Sequence, residues 1–127
     1  MKALNYQTGK LGENLAQEFL EKKGYQIIST NFRTRFGEID LITTKDKKLA
    51  FVEVKLKIGD RFGSPEEMIN KTKITKVQKM AWYFLQNHPE IAKKYPFHRI
   101  EAVCIVLDQD KNLTRINHWE NLENEMV

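Results

Sequence analysis

A chain of 127 residues, 41% hydrophobic and 30% charged, is long enough for one domain with its own core. It has no apolar run near the ~20 residues needed to cross a bilayer, so we expect no membrane association. The single cysteine, Cys104, excludes an internal disulfide and a cysteine zinc cluster, and it fits a protein of the reducing cytoplasm with Cys104 as a packing residue. The N-terminus lacks the apolar segment of a secretory signal.

The net charge of +4 is unevenly distributed along the chain. The last eleven residues contain three Glu and no Lys or Arg, so the first 116 residues carry +7. Such an excess is compatible with a phosphate-rich partner, although many proteins without a nucleic-acid role are equally basic. We expect a single domain over residues 1–127, with a core of about residues 6–118 and an acidic tail at 119–127.

The first half of the chain predicts a helix followed by three strands. Apolar residues at helical spacing indicate a helix over Thr8–Lys23, with Thr8 as N-cap and Gly24 as the glycine that ends it. Tyr25–Thr30 is predicted as a strand, and the basic segment 31–36 as a loop or its extension. Two further strands, Gly37–Thr44 and Leu49–Lys55, are expected to form an antiparallel hairpin around a loop of four residues, 45–48.

The second half predicts a helix followed by two strands. After a loop at residues 58–63, Ser64-Pro65-Glu66-Glu67 is typical of a helix start, and the helix is expected to run to about Leu85. Residues 87–96 are predicted to be irregular with one helical turn. Strands are expected at Arg99–Leu107, whose apolar density indicates an interior position, and at Leu113–Asn117, before a loose helix in the tail.

Strand alternation places two acids opposite each other in the hairpin. Side chains alternate across a strand, so a symmetric loop would pair Ile42 with Phe51, Asp40 with Glu53, and Glu38 with Lys55, all on one face. Two opposed carboxylates can share a proton, lean into water or bind a cation, and a hard divalent ion such as Mg²⁺ suits carboxylate oxygens. A solvated face with cross-strand salt bridges is the alternative, and a one-residue slip in register would separate the acids.

The ordered motifs around this hairpin resemble a known family. Gly37-Glu38-Ile39-Asp40 followed by Glu53-Val54-Lys55 is similar to the PD-(D/E)xK nuclease motif. Together with Gly9-Lys10-Leu11-Gly12-Glu13, Asn31-Phe32-Arg33 and Phe62-Gly63-Ser64-Pro65 with Lys71, the chain resembles the YraN family of bacterial proteins over roughly residues 6–107. That family is similar to archaeal Holliday-junction resolvases.

The resemblance implies an α/β fold and a nuclease site. The fold would be restriction-endonuclease-like, an α-β-β-β-α-β core with a central mixed sheet flanked by helices. Asp40, Glu53 and Glu13 would bind Mg²⁺, for which Mn²⁺ could substitute, and Lys55 would stabilise charge on the phosphate or orient and deprotonate the attacking water. Glu38 would either approach the metal or pair with Lys55, and we expect the pair.

Four positions depart from the pattern of the motif or the family. Ile39 stands where the nuclease motif often has proline, as is usual for this group. Leu56-Lys57 stands where the group commonly has Thr-Arg, and Leu56 removes a hydroxyl that could touch a phosphate. Glu101 stands where the group commonly has aspartate.

Basic residues around the site suggest where nucleic acid would lie. Arg33 and Arg35 precede the hairpin, Lys57 and Arg61 follow it, and four lysines line one side of the second helix: Lys71, Lys73, Lys76 and Lys79. Such a set could neutralise several phosphates, or it could be an ordinary solvated face.

The sequence thus predicts a Mg²⁺-dependent endonuclease-like protein that hydrolyses DNA phosphodiester bonds. A branched substrate and a homodimer follow only from the resolvase likeness, since cutting two strands requires two sites related by a two-fold axis. The rival interpretation is a nucleic-acid-binding module that has the same fold without turnover.

Overall fold

A five-stranded mixed sheet forms the centre of the protein. The computed structural model describes residues 2–59, 61 and 63–125, and their side chains from residue 8 to residue 123. The strands lie in chain order across the sheet, and only the β3–β4 pair is parallel. Their bounds are β1 Gln26–Thr34, β2 Gly37–Lys45, β3 Lys48–Ile58, β4 Phe97–Leu107 and β5 Leu113–Trp119.

Helices cover both faces of the sheet. Their bounds are α1 Lys2–Lys22, α2 Lys71–Asn87, α3 Pro89–Lys94 and α4 Leu122–Glu125, and a 3-10 turn, Pro65–Met68, precedes α2. Phe51 packs in a cluster with the apolar side of α2, whereas its neighbour Val52 packs in a second cluster with α1. Because successive side chains of a strand point to opposite faces, both faces of β3 are buried. None of the helices described is long and apolar enough to cross a membrane.

The predicted hairpin register is confirmed where the two strands pair. Thr44 lies opposite Leu49 and Ile42 opposite Phe51. The strands are longer than expected, and the turn between them has two residues rather than four, with Asp46 at a φ of 55°. Pairing stops at Leu41–Val52, one step before Asp40 and Glu53.

The predicted start of the second helix is wrong. Ser64 and Pro65 begin the separate 3-10 turn, and the Ser64 side chain makes no capping hydrogen bond. Helix α2 begins at Lys71, where Asn70 is the N-cap and its side chain accepts a hydrogen bond of 2.9 Å from the Lys73 backbone N–H. The physical reason is that the Ser-Pro pair is favourable in the first turn of either kind of helix. The same residues can therefore begin a 3-10 turn as well as an α-helix.

Other element boundaries differ in smaller ways. The first helix begins at Lys2, so Thr8 lies inside it and is not its N-cap. Gly24 ends it as predicted, at a φ of 94°. The segment after Thr30 extends β1 to Thr34, and α3 is the helical turn expected between residues 87 and 96.

The acidic tail folds back onto the core. Leu122 of α4 is buried beside the α2 cluster, and the Glu123 carboxylate accepts a hydrogen bond of 3.2 Å from the Ile100 N–H. Residues 60 and 62 of the predicted loop, and residues 126 and 127 of the tail, lie outside the described residues.

Candidate active site

The two motif acids lie where β2 and β3 stop pairing. Asp40 immediately precedes Leu41, the last residue of β2 that pairs with β3. Glu53 immediately follows Val52, the partner of Leu41 on β3. The Val54 N–H donates a hydrogen bond of 2.8 Å to Asp40 Oδ2, so this carboxylate replaces a backbone acceptor of the sheet. The Asp40 and Glu53 carboxyl groups lie close enough to repel each other electrostatically.

Asp40 is electrostatically unfavourable as an anion. Burial, and then repulsion from Glu53, raise the pKa of Asp40 from 3.8 to about 7, although the hydrogen bond from Val54 and the nearby Lys55 oppose the shift. The Asp40 carboxyl group therefore titrates near neutral pH. The hydrogen bond from Val54 and the charge of Lys55 stabilise its anion by less than burial and Glu53 destabilise it.

Two more carboxylates converge on Asp40. One oxygen each of Glu13, Glu38 and Asp40 lie within 4.8 Å of one another. Glu13 comes from α1, and Asn31 Nδ2 donates a hydrogen bond of 3.2 Å to its Oε2 atom. Burial raises the pKa of Glu13, and the charge of Asp40 adds to the shift against the opposing hydrogen bond from Asn31. The predicted convergence of Glu13 and Asp40 is thus present in the structure.

Gly12 allows α1 to approach the sheet closely at this point. A Cβ atom at Gly12 would lie 3.2 Å from the Cβ of Leu56, which is closer than an ordinary van der Waals contact. Leu56 is therefore packed under α1. The close packing of Gly12 on Leu56 brings the next residue of α1, Glu13, to the edge of the acidic group.

Two lysines approach the carboxylate of Glu53. Lys55 Nζ lies 3.6 Å and Lys73 Nζ lies 3.5 Å from the same atom, Glu53 Oε1. Glu53 is only 4% exposed, and its second oxygen, Oε2, is buried with no hydrogen-bond partner among the described residues. A buried carboxylate oxygen without a donor is costly, so this atom requires an explanation.

Glu38 does not form the expected pair with Lys55. Its Oε2 atom lies 3.2 Å from Arg33 Nε, whereas the ion pair described for Lys55 is with Glu53. The reason is that β2 and β3 separate before Glu38, while β1 continues alongside β2 and pairs Arg33 with Glu38.

The four carboxylates share one feature that suits a cation. Each engages one oxygen with the protein, through Val54, Asn31, Arg33 or the two lysines, and its second oxygen takes no part in those contacts. A cleft of 250 Å³ opens beside two of them, Glu13 and Glu38, and is also lined by Gly9, Lys10, Asn31 and Arg33. Oxygen donors of this kind are the ligands that Mg²⁺ and Mn²⁺ prefer.

The other predicted basic residues lie in different surroundings. Arg35 is exposed at the β1–β2 turn, with its guanidinium 4.9 Å from the centre of the Phe36 ring. Lys57 is partly buried on β3, and Arg61 and Lys71 are exposed. Of the six predicted nucleic-acid contacts, Arg33 and Lys73 form ion pairs with site acids.

The sequence did not identify Asn31 as part of the site. Asn31 adopts a φ of 53° inside β1 and directs its amide at Glu13. The available signal was an asparagine within a predicted strand or its extension. Asparagine tolerates a positive φ better than most other non-glycine residues, so it could have indicated a local change in backbone direction at residue 31.

Glu101 belongs to a different cluster, on the face covered by α1. It is fully buried and is bound by Lys48 at 3.0 Å, His118 at 2.8 Å and Tyr25 at 3.1 Å. Glu101 groups with His118 and Glu120 rather than with Glu13, Glu38 and Asp40. Both carboxylate oxygens of Glu101 are hydrogen-bonded in this network, Oε1 to Tyr25 and His118 and Oε2 to Lys48.

Comparison with known proteins places the chain in a family. A family model described as "Uncharacterised protein family UPF0102" matches residues 12–105, which include every one of the site acids and both site lysines. The chain belongs to this family. Membership of the YraN group, predicted from the motifs, is thereby confirmed.

UPF0102 relatives align over nearly their whole length. A UPF0102 protein of Caldicellulosiruptor bescii is 44% identical over 87% of this chain and 92% of its own. One from Syntrophomonas wolfei is 41% identical over 93% of this chain and 98% of its own. A third, from Thermodesulfovibrio yellowstonii, is 41% identical over 89% and 92% respectively.

Proposed function

We propose that this UPF0102 chain is a Mg²⁺-dependent endonuclease-like protein that hydrolyses DNA phosphodiester bonds on a restriction-endonuclease-like fold. The observation that carries the proposal is that Asp40 is held against the buried Glu53, where burial and repulsion from Glu53 raise the pKa of Asp40 to about 7. The order helix, three strands, helix, strand supports the fold assignment, and the motif acids occupy the point where the two central hairpin strands diverge.

The residues present fit a hard divalent cation. Asp40, Glu53 and Glu13 would hold it. One oxygen of Glu13 and one of Asp40 lie within 4.8 Å of each other, and Glu53 would contribute Oε2, which has no hydrogen-bond partner among the described residues. Bound Mg²⁺ would polarise the phosphodiester and help to neutralise the charge that develops on it. Mn²⁺ would be accepted by the same oxygens.

Lys55 is the residue best placed to act on the reacting phosphate. Its ammonium group is partly exposed and is held 3.6 Å from Glu53 Oε1. From there the ammonium would stabilise negative charge on the phosphate, or Lys55 in its neutral amine form would orient the attacking water and accept its proton. The water oxygen would bond to phosphorus while the bond from phosphorus to the leaving oxygen breaks, and the leaving oxygen would take a proton from solvent.

The DNA backbone would follow the basic residues around the cleft. Positive charge for the reacting phosphate and for the phosphates on both sides of it would come from Arg33, Arg35, Lys57, Arg61, Lys71 and Lys73. A branched substrate and a homodimer remain part of the proposal through the resolvase likeness alone.

A cleavage assay with matched variants tests the proposal. Labelled branched, single-stranded and duplex DNA would be incubated with Mg²⁺, Mn²⁺ or EDTA. We expect metal-dependent cleavage that falls by at least about a hundredfold in Asp40→Asn and Lys55→Ala. Glu90→Gln and Lys93→Ala, both on the exposed surface of α3, serve as charge-matched controls that keep activity.

Binding without cleavage would replace this proposal with the rival one. If all three DNA forms bind, none is cut in any metal, and Asp40→Asn changes nothing, the chain is a nucleic-acid-binding module. Cleavage that persists in Asp40→Asn would indicate a contaminating nuclease and also overturn the proposal.

A further inference from the structure

The α2 lysines are not equivalent in the structure. Lys71, Lys76 and Lys79 are exposed, whereas the Lys73 side chain is 31% exposed and reaches Glu53 Oε1. A solvated lysine face would leave all four side chains in water. Lys73 instead extends over β3 to an oxygen that Lys55 already contacts.

The position of Lys73 is unfavourable for the helix that carries it. Lys73 lies in the first turn of α2, where the macrodipole favours acids and disfavours cations, and that turn contains no acid. Asn70 caps the turn through the Lys73 N–H itself, which fixes the backbone from which the side chain departs. The local energetics of the helix therefore do not explain a lysine here.

The ion pair with Glu53 does not explain it either. Lys55 is as close to Glu53 Oε1 as Lys73 is, so one carboxylate charge faces two ammonium groups. Glu53 Oε1 therefore faces more positive charge than a single ion pair requires. Glu13, Glu38 and Asp40 form a separate group, with one oxygen each within 4.8 Å of one another and Arg33 as a cationic partner of Glu38.

We propose that Lys73 is a second phosphate-binding lysine of the site, which together with Lys55 forms the wall that receives the anionic oxygens of a nucleic-acid phosphodiester. The inference rests on the proposed function for the nature of the substrate. It fixes the orientation of that substrate: the phosphate lies with one side towards the carboxylates and the other towards the two lysines. Lys73 exchanges part of its contact with Glu53 for a contact with the phosphate.

DNA binding in the absence of divalent cations tests this inference separately from cleavage. A fluorescently labelled duplex would be titrated with the full chain in EDTA over a range of salt concentrations. We expect Lys73→Ala to weaken binding by at least about tenfold and to reduce the salt slope by about 1, as loss of a charged phosphate contact does. Lys76→Ala, on the same helix, should change both much less, and Lys73→Arg should restore most of the affinity.

The outcomes distinguish this inference from the proposed function. If Lys73→Ala and Lys76→Ala weaken binding equally, Lys73 belongs to an ordinary basic face and the inference is wrong. If Lys73→Ala lowers thermal stability but leaves DNA affinity and salt slope unchanged, Lys73 is only a structural partner of Glu53. If the chain never cleaves DNA but Lys73→Ala selectively lowers its DNA affinity, the proposed nuclease activity is wrong and the proposed phosphate site at Lys73 stands.

Discussion

The Asp40 carboxylate both accepts a backbone hydrogen bond in the sheet and forms part of the candidate site. One oxygen accepts the Val54 N–H, and the group as a whole sits against Glu53 in partly buried surroundings. The folded state therefore holds a proton on Asp40 more tightly than the unfolded chain does. By proton linkage, the stability of the metal-free protein falls as pH rises from about 4 to about 7, and the cost is fully present above the folded pKa.

Asp40→Asn should therefore stabilise the metal-free protein at alkaline pH. Asparagine keeps an oxygen for the Val54 N–H and removes the charge, so we expect the melting temperature in EDTA to rise by roughly 5 °C at pH 8 and by less at pH 5. Differential scanning calorimetry at both values measures the effect, with Glu90→Gln as a surface control. A lower melting temperature at pH 8 than in the unchanged chain would contradict this account of Asp40.

Glu101 has the opposite linkage. Burial raises its pKa, but hydrogen bonds from His118 and Lys48 outweigh burial, so the pKa is held below its usual value. Its contribution to stability is present above the unfolded pKa of about 4.5 and is lost as pH falls through the lower folded value.

Replacing Glu101 by glutamine should be strongly destabilising at neutral pH. The change leaves the partly buried Lys48 without its buried partner, which costs about 3 kcal/mol in the free energy of unfolding. Urea denaturation at pH 7 measures this cost, which should shrink at pH 3.5. Glu120→Gln, at the half-exposed rim of the same network, should cost under about 1 kcal/mol. Equal effects of the two changes would show that burial is not the cause.

Among the elements, the first turn of α2 links helix stability to the site. Asn70 caps it, and Lys73 extends from it to Glu53. Loss of the cap should therefore affect both the free energy of unfolding and the position of the lysine.

Asn70→Ala should lower the free energy of unfolding by about 1 kcal/mol, the usual cost of losing a side-chain cap. Because fraying of the turn also loosens Lys73, DNA affinity should fall in the same direction as in Lys73→Ala, but by a smaller factor. Urea denaturation and the salt titration measure the two effects. Asn87→Ala, at the other end of α2, should leave DNA affinity unchanged; an equal loss there would contradict the link.

The hairpin elements could be predicted from the sequence, and the start of α2 could not. Period-2 alternation fixes which side chains of β2 and β3 share a face, and Ile42–Phe51 follows from it directly. The Ser64-Pro65 signal describes any first turn, so it could not separate a 3-10 turn from the helix after it. The Lys73–Glu53 contact depends on the spacing between α2 and β3, which no local pattern contains.

At the scale of the whole molecule, the site joins both layers of the fold. Glu13 comes from α1 on one face of the sheet, and Lys73 comes from α2 on the other. A cation held by Asp40, Glu53 and Glu13 would therefore connect α1 to the central hairpin and stabilise the folded state as a whole.

Mg²⁺ or Mn²⁺ should accordingly raise the melting temperature of the unchanged chain relative to EDTA. At a hundredfold excess over the dissociation constant the gain is about 2.7 kcal/mol in the free energy of unfolding. Thermal melts at pH 7.5 measure it, and Asp40→Asn should lose most of the gain while Glu90→Gln retains it. A metal-induced shift of the same size in Asp40→Asn would mean that the ion binds elsewhere.

The hydrogen bond from the Val54 amide to Asp40 gives this molecule an internal reporter. Because that amide has a side-chain acceptor where its neighbours have backbone carbonyls, its proton resonance in an NMR spectrum should move with the charge state of a single carboxylate. Titration of that one signal would follow proton uptake and cation capture directly, in the intact chain and without any DNA.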